Sequence, residues 1–217
     1  RPAGTMGPAG GAAPAARTGP REVAMLQHML EERYPRPMTL RDGSTVTIRP
    51  LGKDDKDALL AFFRAVPEEE RLFLKDDVTD EAVIDSWIRG LDYAQVLPLV
   101  AEAGGRIAAD ATLHQQKRGW MSHVGRVRVV THPDFRHKGL ASGLIKELIE
   151  VARDSGLEML DAEFMSEQVG PMQTFMRLGF YRVATLPRHV RDQKGRAHDF
   201  IVMVYDLVPD DEAFAAQ

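Results

Sequence analysis

The 217-residue chain contains no cysteine. This excludes disulfides, thiolate nucleophiles, zinc knuckles and iron-sulfur ligation, and it fits a reducing, cytoplasmic compartment. Long apolar runs are also missing. No stretch approaches the roughly 18 residues of a membrane span, and the N-terminus lacks the charged-then-apolar pattern of a secretory signal. Neither sign of charge dominates: 28 Lys and Arg stand against 32 Asp and Glu, so neither nucleic acid nor a membrane surface is indicated as a partner. The histidines His114, His123, His132, His137, His189 and His198 are scattered without i, i+4 or carboxylate-paired spacing, and no metal site is expected. The nucleotide motifs GxGxxG and GxxxxGK[ST] and the GxSxG nucleophile elbow do not occur.

What is present reads as one domain with appendages. Residues 1–20 are mostly Ala, Gly, Pro, Thr and Arg, with too little large apolar surface to offset the entropy of ordering, and read as a flexible leader. Residues 21–36 read as a short docking helix and linker, because Val23, Leu26 and Leu30 recur at helical spacing before Pro35. The main domain spans 37–208, followed by an acidic tail, 209–217, read as a solvated terminus. Within the domain, Asp42-Gly43 predicts a hairpin between residues 38–40 and 45–49. Helical periodicity marks 54–65 and 79–90. Residues 96–103 and 106–114 read as strands joined by Gly104-Gly105, and 123–131 as a third. The remainder alternates: helix 139–154, strand 158–165, helix 169–178, strand 180–186 and strand 199–207. An antiparallel front half and a βαβα back half predict an α/β (α+β) fold, a mixed and mostly antiparallel sheet with helices on both faces.

One loop carries the chemistry. In VVTHPDFRHKGLASGLIKELIEVA a β-branched strand ends at Thr131, and Arg136, His137, Lys138, Gly139, Leu140, Ala141 and Ser142 lead into a helix whose apolar face (Leu140, Leu144, Ile145, Leu148, Ile149, Ala152) must pack on the sheet. Unpaired N–H groups and the positive end of the helix dipole then face the gap at the strand end, where a diphosphate can accept hydrogen bonds. Gly139 permits close approach and Arg136 and Lys138 add positive charge. The RxxGxA string alone recurs by chance; its place between strand and amphipathic helix raises it.

These residues resemble motif A (Q/RxxGxG/A) of the GNAT superfamily of N-acetyltransferases. Downstream, GPMQTFMRLGFYRVATLPRHVRDQKGRAHDFIVM is similar to that family's closing helix, its LGF signature (Leu178, Gly179, Phe180) and its last hairpin. With the opening TIRPLGKDD segment, the resemblance covers residues 38–207. It implies acetyl-CoA as acyl-donor substrate, lying where the strands around 127–131 and 159–165 splay apart, with backbone groups of Val129, Val130 and Thr131 holding the pantetheine and thioester. It implies direct transfer to a primary amine on a small molecule or a protein, and leaves room for a homodimer.

Transfer to an amine needs a neutral nitrogen, and an alkylamine has a pKa of about 10, so a base is required. Glu163 interrupts the apolar strand from Leu157 to Phe164. Desolvation there is expected to raise its pKa, and the resemblance puts a glutamate base at this spacing in ribosomal-protein alanine acetyltransferases. The alternative is that Glu163 faces solvent or pairs with an arginine. Two positions depart from the family pattern. Gln168 replaces the common Asn at the start of the closing helix, and can still donate to the cofactor. Phe175 replaces the Tyr that protonates the leaving thiolate. Tyr181 is a substitute candidate, with strand packing as its other reading. Arg126 and Arg128 lie where many relatives carry a carboxylate, which suits an acidic acceptor or an exposed strand. A non-catalytic acyl-CoA-binding module and a pure interaction module are the rival readings.

Overall fold

A computed structural model describes residues 20–208; the leader read as 1–20, apart from Pro20, which opens the first helix, and the acidic tail (209–217) lie outside the described residues. The chain runs α1 (Pro20–Arg33), β1 (Arg36–Thr39), β2 (Thr45–Pro50), α2 (Lys56–Ala65), α3 (Glu68–Arg71), α4 (Glu81–Arg89), β3 (Val96–Ala103), β4 (Arg106–Gln115), β5 (Val124–Thr131), α5 (Leu140–Asp154), β6 (Met159–Met165), α6 (Val169–Arg177), β7 (Tyr181–Arg191) and β8 (Ala197–Asp206). The turn chemistry is local and explicit. Gly104 and Gly105 both take positive φ, 56° and 75°, as a two-residue turn twisted to match its strands requires. Asp42 closes the first hairpin by accepting from the backbone and hydroxyl of Ser44, and the Asp80 side chain caps α4 by accepting from Ala82 N.

The eight strands form one sheet in the order β1-β2-β3-β4-β5-β6-β8-β7. Every neighbouring pair is antiparallel except β5 and β6. Two apolar clusters cover its faces. On one, α5 packs on β4 and β5, burying Leu144, Ile145 and Leu148 against Leu99, Leu113 and Leu160, with Leu30 and Tyr34 from the N-terminal segment in the same cluster. On the other, α2 and α4 bring Leu59, Phe63, Ile84 and Ile88 against Val100 and Ile107. Alternation of side chains along β3 and β4 feeds both clusters, as a sheet buried on two faces requires.

The structure departs from the sequence reading in two places. A third helix, the single-turn α3, lies between α2 and α4; its Glu-Glu-Glu-Arg stretch has no apolar period and buries nothing, so pattern could not find it. Strand β7 extends to Arg191 instead of residue 186, with register breaks between Arg182 and Ala184 and between Leu186 and Val190. Such irregularities erase the two-residue alternation that marks a strand. No helix among the described residues is long and apolar enough to cross a membrane.

Candidate active site

Strands β5 and β6 pair in parallel over only three positions, Val124 with Met159, Gly125 with Leu160 and Arg126 with Asp161. Gly125 lets Leu160 of β6 and Leu157 just before it close over the backbone: a Cβ there would fall 2.7 Å from Leu157 and 2.9 Å from Leu160. Beyond Arg126 the strands part. From Val127 onward the β5 edge facing β6 has no ladder partner, while β6 continues along β8 up to Met165. Sheet backbone groups must be satisfied somewhere, so this wedge presents donors and acceptors to whatever enters it. Val129, Val130 and Thr131 lie on that edge. Val129 packs with the α5-side cluster and Val130 with the α2–α4 cluster, and a cavity of about 450 Å³ is lined by both valines together with Phe164, Gln168 and Phe175 across the gap. The cavity therefore reaches both faces of β5 through the splay.

At the end of β5 the loop turns through His137, at φ 61°, and Gly139, at φ 85°. The left-handed region is unfavourable for a residue with a side chain. The first α5 hydrogen bond runs from Gly143 N to Gly139 O, which leaves the N–H groups of Leu140, Ala141 and Ser142 ahead of the helical ladder. The Leu140 side chain is buried in the core, so only its backbone can meet a ligand. The loop's cations are held within the chain: Arg136 makes a two-pronged pair with Glu70 at 2.6 and 2.8 Å, and Lys138 pairs with Asp42 at 3.0 Å. Hydrogen bonds from Ser44 and Lys138 hold the Asp42 carboxyl down to about 2. Sequence reasoning missed Arg41. The β1–β2 turn lies against α5, with Met38 over Gly143, and it sets the Arg41 guanidinium Nε 3.3 Å from where a Gly139 Cβ would sit. Arg41 has no acidic partner among the described residues.

The polar residues of three adjacent strands share one face. The registers place Asp110 beside Val130, Thr112 beside Arg128, His114 beside Arg126, and Arg126 beside Asp161; Glu163 follows Asp161 on the same side of β6. Glu163 lines the cavity but is not a lone carboxylate among apolar neighbours. It pairs with Arg126 at 3.0 Å and with Lys75 from the segment after α3. Arg126 also pairs with Asp161, a second strand carboxylate that the sequence reading passed over. The His114 ring is driven down to about 4 by burial and by Arg128 and Arg126, hence neutral; its Nε2 lies 3.1 Å from the Thr112 hydroxyl.

The closing helix places the remaining candidates. Gln168 accepts from Met165 N through its side-chain oxygen at 2.8 Å, which frees its amide nitrogen to donate. Phe175 is buried, edge-on to Phe164 and Phe180 at 5.1 and 4.9 Å. Tyr181 is set apart from the cavity: it opens the edge strand β7, is about half exposed, and its hydroxyl donates to Asp206 at 2.8 Å. Packing on the sheet edge is the role its position supports. No cluster able to hold a metal ion occurs among the described residues.

Asp110 is the cavity's other carboxylate. Its side chain opens onto the cavity yet is otherwise enclosed by protein, and burial alone pushes it up to about 7. A carboxyl with a raised folded-state value adds stability at low pH that is lost as pH rises through that value. Asp110→Asn is therefore expected to melt with the parent below about pH 4, to gain on it progressively between about pH 4 and 7, and to keep a constant advantage above that, in a thermal-denaturation series across pH.

A sequence model of the acetyltransferase (GNAT) family matches residues 56–180. The L-amino acid N-acyltransferase MnaT of Escherichia coli is 26% identical over 167 residues, covering 75% of this chain and 94% of that protein. Among solved structures, the yncA putative acetyltransferase of Salmonella typhimurium with its cofactor acetyl-CoA superposes with a TM-score of 0.65 at 23% identity, over 76% of this chain and 96% of that one. The ribosomal-protein-S5-alanine acetyltransferase of Vibrio fischeri does so with a TM-score of 0.68 at 13% identity, over 76% and 94%. The family match takes in strands β3 to β6, with the splayed pair and the glycine loop among them, and the chain belongs to the GNAT acetyltransferase family.

Proposed function

We propose that this protein transfers an acetyl group from acetyl-CoA to a primary amine by direct attack. The observation that carries the reading is the parting of β5 and β6 after three paired residues, directly below a loop whose first-turn N–H groups are uncommitted. The diphosphate of the donor fits at Gly139, Leu140, Ala141 and Ser142, with Arg41 as the loop's available cation. The pantetheine fits along the open edge of Val129 to Thr131, with the Gln168 amide facing it from α6. Backbone N–H groups of that edge would stabilise the oxyanion of the attacked carbonyl. Glu163, alone or through a water, takes the proton from the acceptor nitrogen as the carbon–nitrogen bond forms and the carbon–sulfur bond breaks. Phe175 has no proton to give. A thiol with a pKa of about 8.5 leaves as thiolate without obligatory protonation, and water supplies its proton afterwards.

A thiol-release assay with acetyl-CoA and a panel of amines tests the reading. Glu163→Gln is expected to lower turnover by roughly 100-fold or more, the range of general base catalysis, while CoA affinity by calorimetry stays within about twofold. Unchanged turnover would remove Glu163 from the mechanism. CoA binding without turnover on any amine would leave a binding module.

A further inference from the structure

The acceptor is not settled by similarity, since the relatives' names point to acceptors as unlike as a free amino acid and a ribosomal-protein alanine. The charges in the cavity are more informative. Arg126 and Glu163 are committed to each other and to Asp161 and Lys75. Arg128 and Asp110 are not: among the described residues neither has an ion-pair or hydrogen-bond partner. Both line the cavity. Both sit on the same face of adjacent strands, Asp110 one pairing step beyond Arg128. Diagonal neighbours of this kind stand about 7–8 Å apart at their bases, so their charged ends bracket a compact gap. Arg128 feels Glu163, Asp76 and Asp161 without touching any of them, and Asp110 has burial alone acting on it, so a ligand that brings a contacting counter-charge to each is favoured. The remaining wall is apolar, with Leu59, Phe63, Leu74 and Trp87.

We propose that Arg128 and Asp110 bind the acceptor as a small zwitterion, an α-amino acid with an apolar side chain, Arg128 taking its carboxylate and Asp110 its ammonium group. Arg128 offers the planar fork that matches a carboxylate. Asp110 pairs with Val130 across the edge of β5 opposite the splay, so the anchored nitrogen lies about one strand spacing, roughly 5 Å, from the edge where the thioester fits. Neutral His114 leaves the positive charge at this end to the arginines. The apolar wall receives the side chain. The proposal rests on the acetyl-transfer reading for its kinetic arm only, since binding of the zwitterion can be measured without chemistry.

The test compares L-leucine, L-methionine and L-phenylalanine with their primary amides, which keep the amine and lose the carboxylate. Binding to the CoA-saturated protein is followed by calorimetry, and turnover by thiol release. The wild-type protein is expected to favour at least one amino acid over its amide by roughly tenfold or more in Kd, the worth of one charged hydrogen-bonded contact. In Arg128→Gln that ratio is expected to fall to near one, and Asp110→Asn is expected to weaken the amino acid by a similar factor, with circular dichroism confirming both folds. Equal affinity for acid and amide in the wild-type protein, or a ratio that survives Arg128→Gln, overturns the proposal. Selective binding without thiol release would sustain it while sinking the acetyl-transfer reading. Thiol release on amides as readily as on acids would do the reverse.

Discussion

Gly139→Glu is expected to abolish acetyl-CoA binding, with at least a 100-fold loss of affinity by calorimetry, while the protein still folds. Gly139 holds φ 85° at the N-cap of α5, a conformation costing an L-residue roughly 1–2 kcal/mol. A side chain there would meet the Arg41 guanidinium at 3.3 Å, and a carboxylate would pair with that cation where the donor's diphosphate fits. Like charge then opposes the incoming phosphates at the positive end of a helix, where anions are otherwise favoured. Strain of this size lowers the melting temperature by only a few degrees in a domain of about 200 residues, so binding and stability separate cleanly. Gly139→Ala adds the strain without the charge and is expected to lose much less affinity. Unaltered CoA affinity in the glutamate variant would mean that the diphosphate does not bind at this loop.

The second large effect is on stability. Glu147 is buried in α5 and gathers three donors from the end of α1 and the residues after it: Arg33 at 2.7 Å, Arg36 at 3.0 Å and the Tyr34 hydroxyl at 3.2 Å. Burial and the Glu147 charge push the Tyr34 hydroxyl well above its ordinary value. Glu147→Ala removes the acceptor and leaves a guanidinium and a phenol enclosed without it, and breaking a buried pair in this way costs about 3–5 kcal/mol. Arg33 keeps Asp154 at 2.8 Å, which favours the lower figure. The expected result is a fall of roughly 6–12 °C in melting temperature, with faster proteolysis within α1. Glu147→Gln, still an acceptor, is expected to lose less. A melting temperature unchanged by the alanine variant would show that the N-terminal helix contributes nothing to the fold.

Much of the site's frame was legible because its signals are local. The strand ending at Thr131, the loop from Arg136 to Ser142 and the amphipathic helix behind it lie within one short stretch, so periodicity and glycine placement reported them together. The turn at Gly104-Gly105 declared the β3–β4 hairpin. The charged strip was not legible. Asp110 and Arg128 are polar positions in strands otherwise read as apolar alternation, and nothing in either segment says that they meet. Glu163 was visible as an interruption of its strand, but Lys75 and Arg126, which make it part of an ion-pair cluster, come from elsewhere in the chain. Arg41 reaches Gly139 only because Met38 seats the first hairpin on Gly143.

The sequence by itself determined most of the elements, several turns between them and a helix start suited to an anion, because those depend on residues a few positions apart. Tertiary structure decided where β5 and β6 part, which charges cancel and which two remain open in the cavity. Those outcomes depend on strand register, and register is an agreement between segments that no single segment encodes.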